Sequence, residues 1–356
     1  MRIIVLLLLG MCVVFCTTED SVVTHNFSKV KIVPLFKDTI SIRAVAIYND
    51  TLAGFGYTKG YGFINLNTTK VTLTNFEVSS GDTIKNNDNW IAEQRAVNFA
   101  DSSFFSLGIG SPARLRKINK NTKEEKIVYK EIGEGVFYDA IAFWNPLEGI
   151  AMGDPIDTCL SIIITRDGGD TWKKISCTNL PETFVGEAAF AASNGNIAIV
   201  GDKTWIVSGG MVSRVFYSPD KGKNWEVFDT PIIKGKKTTG AYSLDFYDKN
   251  IGIIFGGDYT APENNVANKA ITNDGGKTWQ LVSNGNGAGY KSCVRYIPNG
   301  GGKEIVAVGF TGISISNDLG KNWNIVSKES FYTLRFINDS IAIAAGKGGI
   351  SKLLFK

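Results

Sequence analysis

The sequence holds one histidine, His25, in 356 residues, and that scarcity excludes two large classes of chemistry. No Ser-His-Asp arrangement and no His-based metal site can be assembled around a single ring placed just after an N-terminal apolar run. Cysteine is also scarce. The five cysteines form no CxxC pair and no metal-ligand cluster, and no glycine fingerprint for a dinucleotide opens a helix. The residues therefore call for no metal and no cofactor. A net charge of +4 is mild, and the positive residues are scattered, with no basic block interleaved with aromatics. Nucleic acid is excluded as a partner on that ground. With 44% hydrophobic and 20% charged residues, the chain can bury a large core and is not disordered.

What is present begins with residues 1–16, "MRIIVLLLLGMCVVFC", one positive charge followed by an apolar run. That run has the length of a signal-peptide core and is short for a bilayer span, and nothing later in the chain approaches one. We expect an exported protein with a signal peptide at 1–16 and a single domain over 17–356. Cys16 before the polar "TTED" resembles a bacterial lipoprotein junction, where it would be lipidated and tether the chain to a membrane. Phe15 departs from the small residue that this pattern wants, and simple secretion is the other reading. The location is then periplasmic, outer-membrane or cell-surface, or else secreted. Four Asn-x-Ser/Thr sequons (Asn26, Asn49, Asn67 and Asn338) matter only in a host that glycosylates its exported proteins.

One short pattern recurs four times, as Ser/Thr-x-Asp-x-Gly-x-Thr/Asn-Trp. The copies run Thr165 to Trp172, Ser218 to Trp225, Thr272 to Trp279 and Ser316 to Trp323. Their spacing, 165 to 218 to 272 to 316, lies in the range of radial β repeats. Each copy lies within the same order of short strands: an alternating strand ("YDAIAFW", "YSLDFY"), a buried strand ending in glycine ("GIAMGD", "IIFGGD"), a strand into the turn and a strand out of it. Four antiparallel strands per unit make a propeller blade. The expected fold is an all-β propeller of seven four-stranded blades, at 41–78, 91–130, 137–177, 186–228, 240–283 and 290–327, with a last blade built from the C-terminal segment. Six or eight blades are the alternatives. The N-terminal "FSKVKIVPLF" would supply the missing outer strand of the last blade and remove an open edge. In the blade at 186–228 the second strand is either "IAIVGD" or "TWIVSGG".

Every position of the repeated turn has a folding reason. Asp167, Asp220, Asp274 and Asp318 can accept backbone N–H groups of their own turns, and the glycine two residues on can take φ > 0. Trp172, Trp225, Trp279 and Trp323 offer apolar bodies to neighbouring blades. Four copies argue against catalysis, which needs one site. Cys159 and Cys177 bracket the first copy. A hairpin centred near Gly168 puts residue 165 opposite 171 and 159 opposite 177, within reach of a disulfide; two free thiols are the alternative. Cys293 reads as a small core residue.

The quoted turns resemble the Asp-box of sialidase-type (BNR) repeats. Through them and the segments "GIAMGDP" and "GEAAFAAS", the chain is most similar to the photosystem II assembly/stability factor-like branch of that superfamily. The resemblance implies a propeller that assists assembly by binding protein. Some relatives carry an oxidoreductase label, for which no residues are found here.

Meander topology places the Asp-boxes on one face, and the starts of first strands and ends of second strands on the other. Aligning the first strands puts Arg43, Arg95, Asp139, Glu187, Tyr242, Ser292 and Tyr332 in a ring around the mouth opposite the boxes, rimmed by Asp154 and Asp258. Two functions use such a ring. A glycoside hydrolase would employ Asp139 and Glu187 as its two carboxylates. A sialidase would add clustered arginines and a tyrosine nucleophile, but "VRYIP" at 294–298 does not match the Arg-Ile-Pro signature in spacing or location. Arg295 and Arg335 sit elsewhere on their strands. A monomeric binding module for a protein or a glycan would use the same ring for recognition, with the insertion "DYTAPENNVANK" (258–269) on the same face. We adopt the binding module.

Overall fold

A computed structural model of the chain describes residues 24–76 and 93–356. The leader and Cys16 lie outside the described residues. Apart from the one-turn 3-10 helix Cys177–Asn179, every regular element described is a β-strand, and the chain is an all-β propeller. The second half of Val30–Ile47 begins the inner wall. Gln94–Ala100, Tyr138–Phe143, Ile197–Val200, Thr239–Phe246, Cys293–Tyr296 and Thr333–Phe336 complete it, side by side in a closed circle.

Among the described residues the hydrogen-bonded sheets number six, not the expected seven. The reason is the 18-residue strand Val30–Ile47. Its first half pairs with Ile341–Phe355 (Val30 opposite Phe355) and its second half with Leu52–Tyr57 (Ile47 opposite Ala53). The N-terminal strand completes the last unit as expected, but because the same strand runs on into the first, the two are one six-stranded sheet without an open edge between them.

The segment "GEAAFAAS" brings a second correction. Only Glu187–Ala188 of it is strand, pairing with Gly209–Gly210. The wall strand of this unit is Ile197–Val200, and its second strand is Lys203–Val207. The hairpin register is also one residue off the expected mirror: Ile163 faces Lys174. Beyond Lys174 the chain leaves the sheet, and the turn Cys177–Asn179 carries Cys177 back to Cys159. The two form a disulfide with Cα atoms 5.4 Å apart.

The repeated turns close on themselves. In the first, Thr165 Oγ1 donates to Asp167 (2.8 Å) and accepts from Gly169 N (2.9 Å). Asp167 also accepts from Thr171 N (3.0 Å) and Thr171 Oγ1 (2.6 Å). Burial, the largest single influence, pushes the Asp167 carboxyl up, but these bonds together outweigh it and hold it at about 2. Gly169 has φ +79°, and a Cβ there would meet the Phe105 ring of the preceding sheet at 2.4 Å. Glycine is required twice over, by conformation and by close approach. Trp172 then packs edge-on against Phe105 and Phe143. Each turn also docks on the first bend of its own unit, as Gly168 N to Leu147 O (2.8 Å) and Gly275 N to Asn250 O (3.0 Å). All four turns therefore share one face.

Packing energy resides between neighbouring sheets. Trp205, with no exposed surface, stacks on Phe246 of the next unit with centroids 3.7 Å apart and planes 11° off parallel. Such pairs contribute about 0.5–1.5 kcal/mol beyond their buried area.

Candidate functional site

The axis is not an open channel. Residues 189–196 cross it as a plug. Asn194, a non-glycine residue at φ 55°, donates from Nδ2 to Val97 O (2.9 Å) and accepts from Ile141 N at Oδ1 (2.8 Å). On the far side, Arg335 Nη2 donates to Ser193 O (3.2 Å) and Asn194 O (2.7 Å), and Thr333 Oγ1 donates to Ser193 O (3.0 Å). The plug is bonded to the wall on both sides and floors the mouth opposite the repeated turns, making it a basin.

Most of the ring read from the sequence is brought together in this basin. The Arg43 guanidinium lies over the Tyr332 ring, 4.2 Å from its centroid. Ser292 is buried and donates to Tyr332 O (2.7 Å), which holds that strand start in place. Arg95 donates from Nε to Glu93 (2.5 Å). Asp139 is completely buried, and neither of its oxygens has a hydrogen-bond partner among the described residues. Burial pushes its carboxyl well above the usual carboxylate range, Asp154 pushes the same way and Arg95 opposes them. Asp154 accepts from Ala189 N (2.7 Å); burial lifts it to about 6 against that bond. Asp258 is buried and spends its Oδ1 on Thr260 N (2.9 Å) and Thr260 Oγ1 (2.6 Å), shaping its own loop.

Glu187 does not join Asp139 as a second carboxylate. The alignment that paired them took the plug for a wall strand. Arg214 donates to the Glu187 carboxylate from Nε (3.0 Å) and Nη2 (2.5 Å), Ser208 Oγ from 2.5 Å and Phe184 N from 3.0 Å. A carboxylate accepting four hydrogen bonds in a buried ion pair is committed to the fold. The nominated glycosidase pair is thus one buried acid with a raised pKa and one carboxylate engaged by Arg214.

Sequence reasoning placed Tyr242 and Tyr332 in the ring but missed the rings that join them, Phe190, Tyr290 and Phe310. Tyr242 stacks on Phe190 (3.9 Å, 7° off parallel) and donates its hydroxyl to Thr238 O. From Tyr242 the rings continue edge-on to Tyr259 and Tyr290, then from Tyr290 to Phe310 and from Phe310 to Tyr332. The arc ends on Arg43. Burial raises the Tyr242 and Tyr290 hydroxyls far above their ordinary range, so these rings act as neutral packing surface. Tyr259 and Phe310, by contrast, are 45% and 38% exposed. Three further apolar side chains, Phe184, Val185 and Met211, stand out of the rim beside the Glu187–Arg214 pair, with Val185 98% exposed. The signal for Phe310 was in the sequence. It follows the glycine that ends a second strand, as Asp154 and Asp258 do. Tyr290 and Phe190 lie outside regular strands and gave none.

No protein-family model and no curated protein matches the chain. Among solved structures, YCF48 bound to D1 peptide is similar to it, with a TM-score of 0.63 at 12% identity, over 94% of this chain and 100% of that one. The likeness is one of fold.

Proposed function

We propose that this chain is a non-enzymatic scaffold that binds an extended segment of a partner protein in the basin opposite the repeated turns. The observation that carries the reading is the aromatic arc, which carries exposed Tyr259 and Phe310 and ends in the Arg43–Tyr332 stack. Rigid aromatic faces beside a guanidinium are the residue types that dominate binding energy in protein interfaces. The apolar rim of Phe184, Val185 and Met211 enlarges the same surface. The similar propeller of YCF48, whose structure holds D1 peptide, supports a peptide as the class of ligand. In this reading the turns are Asp-boxes with a structural role. The chain works outside the cytoplasm, delivered by the apolar leader and tethered through a lipidated Cys16.

The test is affinity capture by the mature chain beside a Tyr259→Ala, Phe310→Ala variant and an Arg43→Ala variant. The first pair removes exposed rings and leaves the core intact. A specific partner retained by the wild type should be lost at least fivefold by each variant, about 1 kcal/mol. Equal retention by all three would place the binding surface elsewhere and sink the proposal.

A further inference from the structure

At the other end of the axis, on the face of the repeated turns, the wall strands enclose a cup of about 260 Å³. Strand residues such as Val97, Ile141 and Phe336 form its sides, Asn194 of the plug faces it, and Arg295 and Arg335 both line it. Two guanidiniums share one small space.

Their hydrogen bonds leave a charge unanswered. Arg335 Nη1 donates to Thr333 Oγ1 (3.1 Å) and Leu334 O (2.8 Å), while its Nη2 is spent on the plug carbonyls. Arg295 Nη1 donates to Leu244 O (2.9 Å) and Val294 O (3.1 Å). All of these oxygens are neutral. Nε and Nη2 of Arg295 make no hydrogen bond among the described residues. The one carboxylate at hand is Asp245, with Oδ1 3.7 Å from Arg295 Nη1 and Oδ2 taken by Tyr296 N (2.8 Å). The Cys293 thiol, 3.7 Å from Arg335 Nη1, completes the titratable groups that face the pair. Two cations and one carboxylate, ion-paired with Arg295 at 3.7 Å, leave about one positive charge uncompensated at a site where the Arg295 side chain is 12% exposed. A charge so poorly solvated is costly unless paired. Burial first, and then Arg295, pull Arg335 down to about 10, while Cys293 and Asp245 oppose them.

We infer that the cup is a binding site for a small oxyanion of the phosphate, sulfate or carboxylate class, held by the unused edge of the Arg295 guanidinium, with Asn98, which donates to Ile141 O (3.3 Å), lining the same cup. The planar fork of arginine matches two oxygens of such an ion at once. The site lies on the face away from the partner-binding basin and stands independently of it.

Thermal unfolding of the full chain tests it, with chloride replaced by phosphate at constant ionic strength. A ligand that binds only the folded state raises Tm with the logarithm of its concentration above Kd. The wild type should show that rise. Arg295→Gln should lose it. Asn98→Asp, nearly isosteric, places the chain's own carboxylate in the cup; it should melt higher in chloride and ignore phosphate. Phosphate also stabilises folded proteins generally by exclusion, so an equal rise in wild type and Asn98→Asp, or no rise in the wild type with either probe, overturns the inference. A parallel arm with a triglutamate peptide separates the sources. An Arg295-dependent rise with peptide alone assigns the cup to a carboxylate carried on a partner, and one with phosphate assigns it to a free ion.

Discussion

Replacing Arg214 with methionine strands the Glu187 carboxylate in the interior, and the consequence can be sized from the contacts. Both side chains are nearly inaccessible, at 7% and 0% exposure. Glu187 loses two charge-assisted bonds and keeps Ser208 and Phe184. Arg214 also releases Glu182 O, bonded at 2.7 Å. Breaking one side of a buried pair costs about 3–5 kcal/mol, most of it the desolvated charge left behind. At about 2 °C per kcal/mol for a chain of this size, Arg214→Met should lower the unfolding midpoint by about 6–10 °C. Adding Glu187→Gln removes the stranded charge, and the double variant should recover more than half of that loss. Calorimetry of the wild type, both single variants and the double variant reads the cycle directly. A loss below about 1 kcal/mol for Arg214→Met, or a double variant no better than the single, would refute the assignment of Glu187 to the fold.

Three further outcomes follow from the same contacts. Asp139→Asn should stabilise the protein at neutral pH. A carboxyl whose folded pKa is raised contributes fully below its unfolded pKa and loses ground as pH climbs toward the folded value, so the amide removes that loss; a destabilised variant at pH 7 in a melting series would contradict it. His25 sits between Glu304 (2.6 Å) and Asp339 (3.4 Å). Burial lowers its pKa, but the two carboxylates outweigh burial and raise it. Its contribution is therefore complete below about pH 6.5 and lost as pH rises through the folded value, and His25→Gln should flatten denaturation midpoints across that window. Asp274→Ala deletes bonds from Thr272 Oγ1, Lys277 N, Thr278 N and Thr278 Oγ1, and should cost about 1–2 kcal/mol in denaturant unfolding with partner capture unchanged.

The features legible in the sequence are those whose partners are near in the chain. The Asp167 turn is built from Thr165, Gly169 and Thr171, all within a few residues, so composition and spacing suffice to read it. The basin residues Arg43, Arg95, Asp139 and Tyr332 were reachable because the repeat period aligns the strand starts. The plug was not. Its small and apolar residues alternate as a strand does, and the bonds that draw it across the axis come from Val97 and Arg335, 97 and 141 residues from Asn194. That misplacement carried Glu187 into the ring and hid Arg214. The sheet count failed for a related reason, because the merging of the two chain ends depends on one long strand turning from one partner to another.

The central claim is that the basin opposite the repeated turns holds the partner. Site-specific photo-crosslinking tests it most directly, with a benzophenone side chain placed at Phe310 in the basin or at Leu147, 61% exposed on the face of the turns. The account predicts a cross-linked partner from position 310 and none from 147, with the adduct lost when Arg43→Ala is added. Cross-linking from 147 alone, or from 310 unaffected by Arg43→Ala, would contradict it.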